Sequence, residues 1–279
     1  MDNIIESAIK KLESVAIDPF PTLNPTLGVI LKPEDKEAQS YLRSLEKNAA
    51  KYKSVIKTGF CDNTQDASLQ IRQWAQDSRI NGIIIISSYD KATQSLYDMI
   101  PMRLDVDGLS YKSIGRLYGS NDPIAYRKAP CTAAACLKII QELYDSKLEG
   151  LKIAVIGRSM KVGRPLAELL IQQNCTVTLY HSKSNLSSWL GYNDVIVSAI
   201  GKPKYWNRKN LKPSAKNLID VGINFDSEGK LCGDIDAKDF EDSTAYISPV
   251  PNGVGAVTNT VLFAKLYANK RDFFGVDMQ

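Results

Sequence analysis

Residues 151–165, LKIAVIGRSMKVGRP, decide how the chain is read, because they couple a buried strand to a glycine-bracketed turn and then to the start of a helix. Residues 153–156 are continuously apolar and rich in β-branched side chains, the composition of a central strand in a parallel sheet covered on both faces. Gly157 lets the backbone leave the strand sharply, and Gly163 removes a side chain where helix and ligand must both come close. Val162, Leu166, Leu169 and Leu170 recur at helical spacing. They predict a helix whose unpaired N–H groups and positive dipole end can hold a phosphate. Arg158 and Ser159 lie inside the turn.

The glycine pattern here is G-x-S-x-x-x-G-x-P, not the familiar G-x-G-x-x-G, so context must carry the reading. A second strand, predicted at 176–180, follows at βαβ distance. An NAD site would place Asp or Glu near its end to bind the ribose 2′-hydroxyl. This chain has His181, Ser182 and Lys183 there. A carboxylate would repel a 2′-phosphate, whereas Ser182, Lys183 and Arg158 can receive one by hydrogen bond and charge. The sequence therefore favours NADP over NAD. The plainer alternative makes Lys183 and Arg158 solvated charges on an ordinary α/β unit.

A chain of 279 residues has room for two medium domains with their own cores. A net charge of +4 from 35 Lys/Arg and 31 Asp/Glu is too mild for a nucleic-acid footprint but compatible with small anionic ligands. The apolar runs are short strands, below the roughly 20 residues needed to span a bilayer. The N-terminus reads as an amphipathic helix and not as a signal peptide. A cytoplasmic protein is expected. Five scattered cysteines without a C-x-x-C pair argue against a disulfide framework or zinc site. His181 is the sole histidine, so neither a multi-histidine metal centre nor a histidine-based triad is expected.

In chain order, Ile4, Ile5, Ala8, Ile9, Leu12 and Val15 form one apolar helical stripe. Strands are predicted at 26–31, 54–60 and 82–86, with helices at about 36–52 and 67–77 between them, which implies a mostly parallel sheet. Residues 119–130 carry Gly, Asn, Asp and two prolines without periodicity and read as an interdomain connection. A helix with Ala135, Leu137, Ile140 and Leu143 follows. Further buried strands are predicted at 194–200 and 217–221; their carboxyl ends would line the same crevice as Gly157. Residues 247–266 read as a Pro- and Gly-rich loop leading into an apolar helix.

Taken together, DVDG from Asp105, PCT from Pro130, GRSMKVGRP from Gly157, HSKS from His181, GKP from Gly201, DVGIN from Asp220, GDID from Gly233 and PVPNGVGAVT from Pro249 occur in one order. With the strand-to-helix stretch 25–41, that order resembles the methylenetetrahydrofolate dehydrogenase/methenyltetrahydrofolate cyclohydrolase family over nearly the whole chain. The resemblance implies a two-domain α/β enzyme. An N-terminal folate-binding domain (1–125 and 257–279) accompanies a Rossmann-like NADP-binding domain (126–256), with the C-terminal helix returning to the first. It further implies a cytosolic homodimer acting on tetrahydrofolate derivatives, without metal, nucleic acid or membrane. On this reading Tyr41 stacks near the pterin, Asp107 contacts its ring, and both are catalytic candidates. Pro251, Gly253, Gly255 and Thr258 help line the substrate cleft. Gly157, Arg158, Ser159, Gly163, Ser182, Lys183, Thr132, Ala199, Gly201 and Ile223 belong to the cofactor site. By spacing alone, Tyr41 is a half-buried helix aromatic and Asp107 a turn residue.

Two departures stand out. The family's catalytic lysine follows the tyrosine by four residues, and here that position is Leu45. Lys47 is rotated from it by about 200° on a helix and cannot stand in. The glutamine that partners the lysine is Ile86. Hydride transfer needs two aligned molecules more than a proton-transfer group. Hydrolysis needs a group of tunable pKa. Three readings follow: an NADP-dependent dehydrogenase with cyclohydrolase activity lost or feeble, a bifunctional enzyme with a substitute base, or a silent NADP- or folate-binding paralogue.

Overall fold

The computed structural model describes residues 3–119, 129–185, 192–211, 217–241 and 243–273. The chain divides into two compact units, each assembled from two segments. Residues 10–131 and 259–279 make one, built on a three-stranded sheet; residues 1–9 and 132–258 make the other, built on a five-stranded sheet.

The opening helix is α1 (Asn3–Ala16), and it is followed by β1 (Thr26–Leu31), α2 (Lys36–Lys51), β2 (Val55–Phe60), α3 (Thr64–Gln76) and β3 (Ile80–Ile85). The strands pair in parallel in the order β2-β1-β3. β1 is central, which is why Leu27 through Leu31 are buried without alternation, whereas β2, at an edge, alternates. Local signals start the helices: Asp35 caps α2 through the Ala38 N–H at 2.9 Å, and Asn63 caps α3 through that of Asp66 at 3.0 Å. Two short helices, α4 (Thr93–Met99) and α5 (Tyr111–Tyr118), complete this region.

β3 is buried along its whole length although it ends the ladder. The turn at 105–108 lies along its outer edge: Ile83 donates its N–H to the Leu104 carbonyl at 2.8 Å and forms a parallel bridge with Asp105. Gly82 makes this approach possible, because a Cβ there would meet Val106 at 2.7 Å and Leu266 at 2.8 Å.

The five-stranded unit begins with α6 (Cys131–Leu143), almost all of which belongs to it, and continues with β4 (Lys152–Ile156), α7 (Gly163–Ile171), β5 (Thr176–Tyr180), β6 (Val195–Ser198) and β7 (Asn217–Asp220). An antiparallel pair, β8 (Asn224–Phe225) and β9 (Leu231–Cys232), precedes β10 (Tyr246–Ile247) and α8 (Val254–Phe273), whose residues from Asn259 onward belong to the three-stranded unit. The sheet order is β10-β7-β6-β4-β5, all parallel. From β4 the chain goes first to one side and then, through β6, to the other, so the strand order reverses between β4 and β6. Ligands of open α/β sheets bind at such a point, beyond the carboxyl ends of the strands.

The predicted strands and long helices are all present, with β6 and β7 slightly shorter than their apolar runs. Not anticipated were α4, α5, β10 and the β8–β9 pair, which are too short for periodicity to announce. Residues 120–128 of the predicted connection lie outside the described residues. Among the described residues, no helix is long and apolar enough to cross a membrane.

Candidate active site

The turn after β4 has the geometry of a dinucleotide cradle. Gly157 has φ of +117°, a backbone state that side chains rarely adopt, and a Cβ there would run into the Ala199 carbonyl at the end of β6. A Cβ on Gly163 would collide with the carbonyl of Gly157. Strand end, helix start and the neighbouring strand's loop therefore meet with no room for side chains, as a pyrophosphate-binding turn requires. Ser159 shapes the turn from within: its hydroxyl accepts the Val162 N–H at 3.1 Å, and its carbonyl accepts that of Arg164 at 3.2 Å. α7 starts at Gly163 without a side-chain cap.

At the carboxyl end of β5, His181 and Ser184 close a tight turn through His181 N–H to Ser184 Oγ (3.0 Å) and Ser184 N–H to the His181 carbonyl (2.8 Å). His181 Nδ1 accepts the Lys183 N–H at 3.1 Å. The ring thus serves the turn, while Ser182 and Lys183 project from it exposed, as do Arg158 and Ser159 in their own loop. Thr132 is half-buried in the first turn of α6. Ala199 is half-buried after β6, Gly201 has φ of +64°, and Ile223 is 71% exposed in the loop after β7.

Two buried carboxylates hold those loops. Asp234 accepts from Ser198 Oγ (2.8 Å), the N–H groups of Ile200 (2.8 Å) and Lys202 (2.9 Å), and Asn224 Nδ2 (3.0 Å). Asp220 accepts the N–H groups of Gly222, Asp234 and Ile235 at 2.8–2.9 Å. Burial pushes the Asp220 carboxyl up to about 6 against the pull of those amides, with Asp234 adding to the rise. The DVGIN and GDID motifs are therefore one clamp that fixes Ala199, Gly201 and Ile223.

In the three-stranded unit the two aspartates of DVDG divide their work. Asp105, 8% exposed, accepts the N–H groups of Gly108, Leu109 and Ser110 and the Ser113 hydroxyl at 2.7–3.2 Å. It builds the turn. Asp107 is half-buried, and its backbone carbonyl accepts the Cys131 N–H at 3.1 Å. Tyr41 keeps 36% of its surface exposed, yet its hydroxyl is turned toward α8, donating to Asn259 Oδ1 at 3.2 Å. Burial of that end, and then the charge of Asp107, raise its pKa. Tyr41 and Asp107 thus lie within electrostatic reach of each other. Leu45, one turn beyond Tyr41, is wholly buried, Lys47 is exposed, and Ile86 is half-buried just past β3. Pro251, Gly253, Gly255 and Thr258 lie in the five-stranded unit, in the loop before α8 and its first turns; the Val250–Pro251 peptide is cis.

Two residues near Tyr41 and Asp107 were not anticipated from the sequence. Asn259 receives the Tyr41 hydroxyl and donates to Ser44 Oγ at 3.2 Å. Lys265 is only 4% exposed on α8, and its Nζ donates to the Ala129 carbonyl. Its one available signal was a lysine inside the apolar run 261–267, VLFAKLY.

Comparison with known proteins agrees with this layout. Residues 130–273 match the NAD(P)-binding domain of the tetrahydrofolate dehydrogenase/cyclohydrolase family. The bifunctional protein FolD of Dictyoglomus turgidum is 33% identical over 248 residues, covering 87% of this chain and 86% of its own. Among solved structures, the bifunctional 5,10-methylenetetrahydrofolate dehydrogenase/cyclohydrolase of Thermoplasma acidophilum superposes with a TM-score of 0.83 at 28% identity, covering 98% of this chain and 97% of that one. The Trypanosoma brucei methylenetetrahydrofolate dehydrogenase-cyclohydrolase, solved with NADP cofactor and an inhibitor, gives 0.79 at 25% identity, covering 97% and 96%. The chain belongs to the tetrahydrofolate dehydrogenase/cyclohydrolase family.

Proposed function

We propose that the protein is an NADP-dependent methylenetetrahydrofolate dehydrogenase that has given up the lysine-and-glutamine route to methenyl hydrolysis. The observation that carries this reading is a contrast. The glycine cradle at the β4–β6 reversal is complete, whereas the position of the hydrolytic lysine is the fully buried Leu45.

The cradle's residues fit a dinucleotide: Gly157 and Gly163 leave room for pyrophosphate beside Ala199, and the exposed Arg158, Ser182 and Lys183 are suited to a 2′-phosphate. Thr132, Gly201 and the exposed apolar Ile223 complete the cofactor set. When bound, NADP supplies the hydride acceptor. Tyr41 offers a ring face to the pterin while Asn259 holds its hydroxyl, and Asp107 offers a carboxylate to the pterin's N–H groups. Pro251, Gly253, Gly255 and Thr258, in the loop before α8 and its first turns, are further substrate candidates on this reading. Neither Leu45 nor Ile86 can move a proton, so the attacking water of hydrolysis finds no base at those positions. A cytosolic homodimer is part of the same reading.

Two assays on the purified protein test it: NADPH formation from methylenetetrahydrofolate, and the decay of methenyl absorbance with and without protein. NADPH formation with uncatalysed methenyl decay supports the reading. Fast decay would assign a bifunctional enzyme, and no NADPH would leave a binding protein.

A further inference from the structure

We propose that Lys265 of α8 is a positioning residue for the substrate, its buried ammonium holding the Asp107 carboxylate ionised and turned toward the folate. The inference rests on the reading of Asp107 as the pterin's partner.

Lys265 stands among buried apolar neighbours, Val261, Leu262, Phe263, Leu266 and Tyr267. A lysine with 4% exposure in such a stretch is rare unless paired, because its ammonium has lost water on every side. Its hydrogen-bond acceptor is the Ala129 carbonyl, and the Cys131 thiol lies beside it. Neither is an anion, since burial pushes that thiol up to about 12. A negative group that also interacts directly with this thiol is Asp107.

The backbone fixes the arrangement. Cys131 donates its N–H to the Asp107 carbonyl at 3.1 Å and its thiol to the Val106 carbonyl at 3.2 Å, so residues 129–131 are stitched to the turn that carries Asp107. Lys265 is stitched to the same strap. Titratable groups near Asp107 include Cys131 from the strap and Tyr41 from α2, with Asp105 in the same turn and Lys265 of α8 joined to it through Cys131. The cation of that set is Lys265. Lys32, just past the carboxyl end of β1, has its ammonium 5.0 Å from the centre of the Tyr89 ring. The positive charge that α2 lacks at Leu45 thus enters this unit from α8.

The test compares Lys265→Met, Lys265→Gln and Lys265→Arg in the full chain. Losing the ammonium should raise the KM for methylenetetrahydrofolate roughly tenfold or more while the KM for NADP stays within about twofold, and should move the acid limb of kcat/KM up by about one pH unit. Lys265→Arg should restore most of both. If Lys265→Met does not fold, the uncharged but hydrogen-bonding Lys265→Gln decides. An unmoved acid limb, or equal rises in both KM values, overturns the proposal. Carboxyl 13C titration of Asp107 in wild type and Lys265→Gln gives a readout independent of turnover. An upward shift in the variant supports the coupling even if the wild type oxidises no folate, which would sink the functional reading alone; no shift sinks the coupling.

Discussion

On the proposed reading, cofactor choice depends on a few exposed atoms just past the ends of β4 and β5. Ser182, Lys183 and Arg158 are all exposed, and each charge-assisted contact to a 2′-phosphate contributes on the order of 1.5–3 kcal/mol at best. NADP should therefore bind at least roughly tenfold more tightly than NAD, and Ser182→Asp should invert the order by repelling the phosphate and receiving the ribose hydroxyls. Calorimetric titration with both dinucleotides decides it; equal affinities would remove the specificity argument. The other decisive side chain is Leu45. Because it is fully buried, Leu45→Lys alone should lower stability by several kcal/mol or yield an amine of strongly depressed pKa, without producing good hydrolysis. Adding Ile86→Gln supplies a hydrogen-bond partner, and the double variant should hydrolyse methenyltetrahydrofolate better than either single one. Additive stability changes in that double-mutant cycle would show that the two positions do not meet.

At the scale of elements, two packings carry expectations. β3 accepts the 105–108 turn against its edge only because residue 82 is glycine, so Gly82→Ala should cost about 1–3 kcal/mol by overpacking against Val106 and Leu266. Urea unfolding measures it, and a neutral result would mean that both side chains give way freely. The clamp between the β6 and β7 loops is pH-sensitive. With Asp220 pushed up to about 6 from an ordinary 3.8, the folded state keeps a proton that the unfolded chain releases between those values. Its contribution to stability therefore grows as pH falls through 6 toward 4, by up to ~3 kcal/mol, and is absent in Asp220→Asn. Unfolding curves of both proteins across that window, subtracted, isolate the effect; a difference that shrinks on acidification contradicts it. The long elements were legible because apolar runs and helical stripes are local. The clamp was not, since Asp220 and Asp234 acquire their meaning only when two loops meet.

Over the whole molecule, the glycine turn, the β5 terminus and the DVDG turn were all readable as motifs, and their placement follows from strand order. What composition and spacing could not convey was the content of α8. Asn259 and Lys265 lie in a helix without amphipathic period, and their roles depend on residues more than 130 positions earlier, Tyr41 and Ala129. The same discontinuity bears on how the chain is made. Its three-stranded unit starts at residue 10, but Tyr267 reaching the Tyr52 carbonyl and Asn269 reaching those of Asn81 and Arg103 are its closing contacts. A ribosome synthesising this protein releases β1, β2 and β3 long before the helix that seals them. The three-stranded unit is thus the last to be completed, and during translation its apolar sheet waits on a helix that the ribosome has not yet released.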